Sequence, residues 1–359
     1  MRPQIEKIVI DPQCSGNRLP FEIAEKLRID PVFMSKDDLV AFVEHNPGTD
    51  IFKTAKKILF FTENKGRFLK KCPGSKGVIC CNYYTINSVT GCPYDCSYCI
   101  LQHYIENNPF ITVFLNREKA VEEIKEFLKI NDRIRVGTGE LADSLALDHL
   151  LNETGFFISE IVEAGLEKKV QFEFKTKSVE TERLLEIRKK YPGADIIAGF
   201  SVNIPGFQKD EEPGTASIEA RIKAAFELQK TGIPVAIHFD PVVMIENNLD
   251  KYISLAETIF SSLDCSQIAW ISMGGFRHTL SLTQTIVERF PDSSLLRGEM
   301  FPSDSDNKLR YLASVRRVYY AALIKKIAEY FNGVPPLYMC MEKPFMWDDI
   351  EMKPQPPVF

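Results

Sequence analysis

The sequence predicts an α/β fold, a partial (β/α)6 barrel, and three observations predict it. From about residue 81 onward, six short apolar runs alternate with helix-length amphipathic stretches. Turn signals, Tyr191-Pro192-Gly193 and Gly232-Ile233-Pro234, stand where two of those stretches should stop. The chain has 359 residues, enough for one large barrel or two modest domains.

In chain order, residues 1–80 read as an N-terminal extension, with helical pieces at 21–27 and 36–44 and a strand at 57–62. The barrel is expected over 81–294. Its strands are expected at 83–89, 134–137, 170–175, 195–202, 235–239 and 268–273. Its helices are expected at 117–128, 156–164, 180–191, 217–231, 249–263 and 281–290. Alternating strands and helices imply a parallel sheet, because each parallel crossover needs a helix. Six units suit an open barrel better than a closed one of eight, and reactive groups then belong at the C-terminal strand ends. Residues 295–359 are expected to cover the barrel mouth.

Hydrophobic residues at 45% and charged residues at 26% fit a soluble globular chain rather than a disordered one. No apolar run nears the roughly 20 residues of a membrane span. The start, MRPQIEKIVIDPQ, lacks a basic-then-apolar signal pattern, so a cytoplasmic enzyme is the expectation. Forty-four Lys and Arg against 49 Asp and Glu leave a net charge of −5, which gives no general reason to seek phosphates. Nine cysteines are many for a reducing compartment, where clustered thiols mean metal or redox chemistry more often than disulfides.

The chemistry concentrates in Gly91-Cys92-Pro93-Tyr94-Asp95-Cys96-Ser97-Tyr98-Cys99, directly after the first expected strand. Its spacing is Cys-x3-Cys-x2-Cys, and thiolates are the usual ligands of iron–sulfur clusters. Three such ligands leave the fourth iron of a cubane open to bind and activate something. Zinc instead takes four ligands, often as two close pairs, and no second pair is evident.

With Tyr98 before its last cysteine, this stretch resembles the defining motif of the radical S-adenosylmethionine (SAM) superfamily. The resemblance implies a 4Fe–4S cluster on Cys92, Cys96 and Cys99 whose open iron chelates the methionyl end of SAM. One electron, from a donor such as flavodoxin or ferredoxin, then cleaves the sulfonium to methionine and a 5′-deoxyadenosyl radical that abstracts hydrogen from substrate. Gly137-Thr138-Gly139-Glu140 resembles the superfamily's Gly-Gly-Glu element, in which the carboxylate accepts a hydrogen bond from the SAM amino group. The same resemblance places Asp143 in the cofactor site and lets Lys177 neutralise the SAM carboxylate. Ser201 and Asn203 would hold carboxylate or ribose hydroxyls, and Asp240 would lie beside adenine or ribose.

Further stretches, in matching order from about Cys92 to Pro291, resemble the spore photoproduct lyase family. They are Tyr98-Cys99-Ile100-Leu101-Gln102, Asp143 with Asp148-His149-Leu150, Lys177, Ser201-Val202-Asn203, Glu212-Pro213-Gly214-Thr215 with Arg221, and Phe276-Arg277-His278-Thr279. The resemblance implies a DNA-repair lyase that splits a thymine dimer, with Tyr98 and Glu140 in catalytic roles. Three positions depart from the family pattern. Glu140 stands where the lyases carry a cysteine hydrogen donor, and Ile100 where they carry a second tyrosine. Pro302-Ser303-Asp304-Ser305-Asp306 replaces an Arg-Tyr hairpin that probes the lesion, and its aspartates would repel phosphates. Arg277, Lys308 and Arg310 are expected to meet the substrate, which is DNA or, in the alternative reading, a small anionic or peptide substrate.

Of the remaining thiols, Cys80 and Cys81 read as small buried residues opening the first strand, with a second cluster or redox pair including Cys72 as the other reading. Cys14 and Cys265 read as core or neutral positions. So does Cys340, unless the C-terminus folds over the mouth and makes it a replacement hydrogen donor. His149 is expected to cap or pack, and His238 to be a satisfied core histidine.

Overall fold

The computed structural model describes residues 2–45, 50–105, 107–303 and 306–350. Its main sheet has eight strands: β1 (Leu69–Lys71), β2 (Tyr84–Ile86), β3 (Ile134–Gly137), β4 (Val170–Thr176), β5 (Asp195–Ser201), β6 (Val235–Val242), β7 (Ile268–Gly275) and β8 (Leu337–Met339). They lie side by side in chain order. Every pairing from β2 to β8 is parallel, and β1 alone runs antiparallel, against β2. The two edge strands, β1 and β8, do not pair with one another, so the barrel stays open. A partial barrel with strand–helix units is what the alternation predicted.

The central strands read as near-continuous apolar runs because both faces are covered. Ile134–Gly137 is buried throughout, and Phe172, Phe174, Ile196, Ala198, Ile237 and Ile271 are fully enclosed. The covering helices include Glu153–Glu163, Glu182–Lys190, Ile218–Gln229, Leu249–Ser262 and Leu280–Arg289. Two start on side-chain caps that accept a free backbone N–H, Ser217 from Ala220 and Thr279 from Leu282.

Two departures matter for the site. A seventh parallel strand, β8, adds to the six expected, and it positions residues 340–342 beside the barrel. The first strand is shorter than expected, because Asn87 and Ser88 turn their side chains to Glu140 and Glu153. The chain then enters a second sheet, where Val89–Thr90 pairs antiparallel with Ile111–Phe114. That five-stranded sheet also holds Lys7–Ile10, Val32–Phe33 and Ile58–Thr62, so it draws strands from both sides of residue 80. A small antiparallel sheet joins Arg277–His278, Leu309–Tyr311 and Met300–Pro302.

Inside the barrel, His238 is satisfied on both nitrogens, 2.6 Å from Ser272 Oγ and 2.6 Å from Glu173 Oε1. The core-histidine reading therefore holds. Cys80 is exposed and Cys81 half-buried, both ahead of the strand, which corrects the reading of two buried strand residues. No helix among the described residues is long and apolar enough to cross a membrane.

Candidate active site

A cavity of about 410 Å³ opens at the C-terminal ends of the barrel strands. It brings together Cys92, Cys96, Tyr98 and Cys99 on one side with Glu140, Asp143, Lys177, Ser201, Asp240, Arg277 and Lys308 on the others. Asn203 and Arg310 are not on its walls.

The three cysteines sit on a loop, none of them in a disulfide. Burial pushes the Cys92 thiol up to about 12 and the Cys96 thiol well above its usual range. Lys56 pulls Cys92 back down and Lys177 does the same for Cys96, so cations already face the loop. Among the described residues, no three His, Cys, Asp or Glu side chains converge on one ion-sized point. Thiolates that share a cubane bind different irons and stand farther apart than the ligands of one ion. Three unpaired thiols on one wall of a cavity fit such a cluster better than a four-ligand zinc site.

The loop is held from three directions. Asp95, within the motif, pairs with Lys56 at 3.0 Å and Arg289 at 3.1 Å, and Arg289 also pairs with Asp50 at 2.7 Å. The Asp95 carboxyl is held below its usual range: burial alone would raise it, and the two cations outweigh that. Residues 211–213 grip the middle of the loop. Ser97 N donates to Glu211 O at 2.9 Å, Asp95 N donates to Pro213 O at 3.2 Å, and the Tyr98 hydroxyl donates to Glu212. Glu212 in turn is 2.7 Å from the fully buried Arg221. Gln102 closes the third side, donating to Cys96 O at 3.2 Å and Ser97 O at 3.0 Å. Lys56, Glu211 and Arg289 escaped the sequence reading, since all three reach the loop from distant segments. Asp95 carried a local signal, a carboxylate between two cysteines.

At the end of β3, Glu140 accepts hydrogen bonds at Oε2 from Thr85 Oγ1 (2.7 Å) and Asn87 Nδ2 (3.1 Å). The glycines before it are packed tight. A Cβ at Gly137 would collide with the Tyr83 hydroxyl, and one at Gly139 would come within 2.8 Å of Lys175 Cβ. Asp143 is fully committed to backbone and hydroxyl donors. Its Oδ1 accepts from Leu145 N, Ala146 N and Thr176 Oγ1, and its Oδ2 from Lys177 N at 2.7 Å. Lys177 Nζ lies 5.7 Å from the centre of the Tyr98 ring. Asp240 and Arg277 pair with each other at 3.2 Å. Burial alone would raise the Asp240 carboxyl, and Arg277 and Lys175 hold it low instead.

Two residues expected at the site lie elsewhere. Asn203 is fully buried; it donates to Pro241 O at 3.0 Å and accepts from Ile204 N and the Tyr252 hydroxyl. Arg310 pairs with Asp306 at 2.5 Å and donates to Met341 O at 3.2 Å, lining a separate cavity. Asp306 is thus a neutralised partner, not a bare charge facing phosphates; Asp304 and Ser305 lie outside the described residues. Cys340 follows β8 near Asp240 and Arg277, and desolvation, then Asp240, push its thiol up to about 12. It stays protonated beside the cavity without lining it.

With this geometry in hand, the chain was compared with known proteins. A family model described as "Spore photoproduct lyase" matches residues 25–334. Spore photoproduct lyase of Bacillus subtilis (strain 168) is 26% identical over 216 residues, 59% of this chain and 61% of that one. The Clostridium acetobutylicum protein of the same name is 24% identical over 214 residues, 59% and 62%. The chain therefore spans about three fifths of the length of the curated relatives it matches. Among solved structures, a mutant spore photoproduct lyase with bound AdoMet and dinucleoside spore photoproduct superposes with a TM-score of 0.78 at 21% identity, covering 95% of this chain and all of that one. A spore photoproduct lyase complexed with dinucleoside spore photoproduct gives 0.79 at 20%, covering 94% and 99%. Those structures share the fold of the open barrel. The family match covers most of the sequence, cysteine loop and strand ends included, and the chain belongs to the spore photoproduct lyase family.

Proposed function

We propose that this chain is a radical SAM lyase that repairs a DNA photoproduct, with a 4Fe–4S cluster on Cys92, Cys96 and Cys99. The observation that carries the reading is one cavity lined by three free thiols together with strand-end carboxylates and a lysine. A cluster held by Cys92, Cys96 and Cys99 would supply one-electron reductive cleavage of SAM. The chain's own residues bind and orient. Glu140 is braced through Oε2, which leaves Oε1 to accept from the SAM amino group. Lys177 supplies a cation for the SAM carboxylate, and Ser201 a hydroxyl at the neighbouring strand end. Asp143 acts as a positioning residue, tying the loop after β3 to the end of β4. Tyr98 holds the loop through Glu212.

Arg277 and Lys308 face the substrate side, and residues 295–350 contribute Lys308 and Met341 to the cavity, which supports their role as its cover. The relative solved with a dinucleoside photoproduct supports a pyrimidine dimer as substrate. A second reading, a small anionic substrate, is favoured by the pairing of Arg277 with Asp240 and of Arg310 with Asp306, which mutes the positive rim a duplex needs.

The test is anaerobic reconstitution. The unmodified chain should carry about four irons and form 5′-deoxyadenosine from SAM under dithionite. Cys96→Ala should lose both, and retention of either removes Cys96 from the ligand set. Deuterium transfer from labelled dinucleoside photoproduct into 5′-deoxyadenosine separates the two substrate readings.

A further inference from the structure

The charged groups lining the cavity do not balance. Among the described residues its cations are Lys175, Lys177, Arg277 and Lys308, and its carboxylates are Glu140, Asp143 and Asp240. Asp143 is committed to its four donors, and Asp240 pairs with Arg277 at 3.2 Å. Glu140 and Lys177 are matched to the two ends of the SAM amino acid in the reading above. Lys175 and Lys308 remain unanswered. Both are half-buried, and neither has a carboxylate within ion-pair distance among the described residues. The Lys308 ammonium has one long contact, 3.4 Å to Ser75 Oγ, and that of Lys175 makes no hydrogen bond. The strand aims Lys175 inward. It stands on β4 two residues beyond Glu173, whose carboxylate meets His238 inside the barrel, and residues two apart share a strand face. Gly139 leaves room for its stem, since a Cβ there would come within 2.8 Å of Lys175 Cβ. Burial alone would raise the Asp240 carboxyl, and Lys175 is the cation after Arg277 that holds it low, so the ammonium lies toward Asp240. Lys308 approaches the same pair from the other side: burial, then Arg277, holds its ammonium below the usual range.

Resting on the photoproduct reading, we propose that Lys175, with Lys308, anchors a phosphate group of the substrate inside the cavity. A partly buried cation without a counter-ion is costly until a ligand answers it. A pyrimidine carbonyl would accept a hydrogen bond and leave the charge uncompensated, whereas a phosphate oxygen answers both. Lysine suits this role, because its ammonium is a compact point charge whose hydrogen bonds to phosphate are charge-assisted. Two aimed cations also give the chain a grip on a phosphate that its net charge of −5 and its paired Arg277 and Arg310 do not supply. The phosphate has two sources of the same chemistry, the phosphodiester joining the damaged nucleosides and a terminal phosphate.

Three ligands separate those sources: the dinucleoside photoproduct, which has no phosphate, the same dimer joined by its phosphodiester, and the joined dimer with a 5′-terminal phosphate. Each is titrated by calorimetry into the reconstituted chain with SAM and no reductant. The unmodified chain should bind a phosphate-bearing ligand roughly tenfold tighter than the dinucleoside, and the ligand at which the step appears identifies the phosphate. Lys175→Met keeps an apolar stem and removes the charge, so it should erase most of the step, and Lys175→Arg should retain it. Lys308→Met, on a different segment, should shrink the step as well, which keeps the test open if Lys175→Met does not fold. Equal affinity of the unmodified chain for all three ligands, or a full step in Lys175→Met, overturns the anchor. So does a loss of SAM affinity in Lys175→Met as large as the loss of photoproduct affinity, which would place Lys175 on SAM. If none of the three ligands binds, the photoproduct reading falls, and inorganic phosphate still tests the anchor. Weaker phosphate binding in Lys175→Met than in the unmodified chain then supports it, and equal binding or none overturns it.

Discussion

Glu140 and Asn203 show how differently two strand ends of one sheet use a polar side chain. Glu140 is braced through one oxygen and faces the cavity with the other. Glu140→Gln keeps an oxygen for Thr85 and removes the charge. SAM affinity should fall about tenfold or more, the worth of a charge-assisted hydrogen bond, with iron content unchanged. Equilibrium binding of SAM to the reconstituted variant measures it, and an unaltered affinity removes Glu140 from the pocket. Asn203 is the contrast: its three hydrogen bonds tie β5 to Pro241 and Tyr252. Asn203→Ala should cost about 2–3 kcal/mol of stability in denaturant unfolding while leaving SAM affinity near that of the parent. The superfamily resemblance placed Ser201 and Asn203 together in the site. The pairing lapses here: β5 ends at Ser201, and Asn203 beyond it is drawn to Pro241 and Tyr252 rather than to the cavity. Motif spacing made the cysteines, Glu140 and Lys177 legible, because each motif is local. Lys56 and Arg289 were illegible, since their role exists only once distant segments meet at Asp95.

At the scale of elements, apolar periodicity found the strands and helices that bury a long face, and missed those that do not. β8 spans three residues behind Pro335-Pro336, too short for an alternation to register, yet it carries Cys340 to the side of the cavity. The helix Glu153–Glu163 shows a different limit. Asp148 entered only through the family-like stretch Asp148-His149-Leu150, with His149 the residue expected to cap or pack; Asp148 itself accepts from Thr154 N at 3.0 Å and from the Thr154 hydroxyl at 2.5 Å. Desolvation raises its carboxyl from 3.8 to about 6, despite those bonds. Between those two values the folded chain keeps a proton that the unfolded chain has released. The contribution is fully present below the unfolded value and is lost as pH rises through about 6. Asp148→Asn keeps an acceptor for Thr154 and cannot titrate, so its stability should fall less between pH 4 and pH 6 than the parent's. Parallel melting curves at those two pH values check the slope. Equal slopes would show that the Asp148 carboxyl does not change its proton affinity on folding.

The whole molecule converges on the cysteine loop. Lys56 reaches it from the N-terminal region, Glu211 and Glu212 from the connection after β5, and Arg289, itself paired with Asp50, from the helix after β7. These contacts meet within the Cys92–Cys99 stretch, so ordering that stretch propagates into three separate parts of the chain. A group that binds the folded loop and not the unfolded chain stabilises by mass action, by roughly 3–4 kcal/mol at a hundred to a thousand times its dissociation constant. For a chain of this size, that corresponds to a rise in Tm of roughly 3–8 °C. Anaerobic calorimetry of reconstituted against metal-free protein should show that rise as one shifted transition, because the loop belongs to the packing of all three parts. Cys96→Ala should melt at the metal-free temperature whether or not iron and sulfide are supplied. Two transitions in the loaded protein, only the lower one unmoved by iron, would instead mean that the loop stabilises a single part, and that its ties to the others are too weak to carry the effect across the molecule.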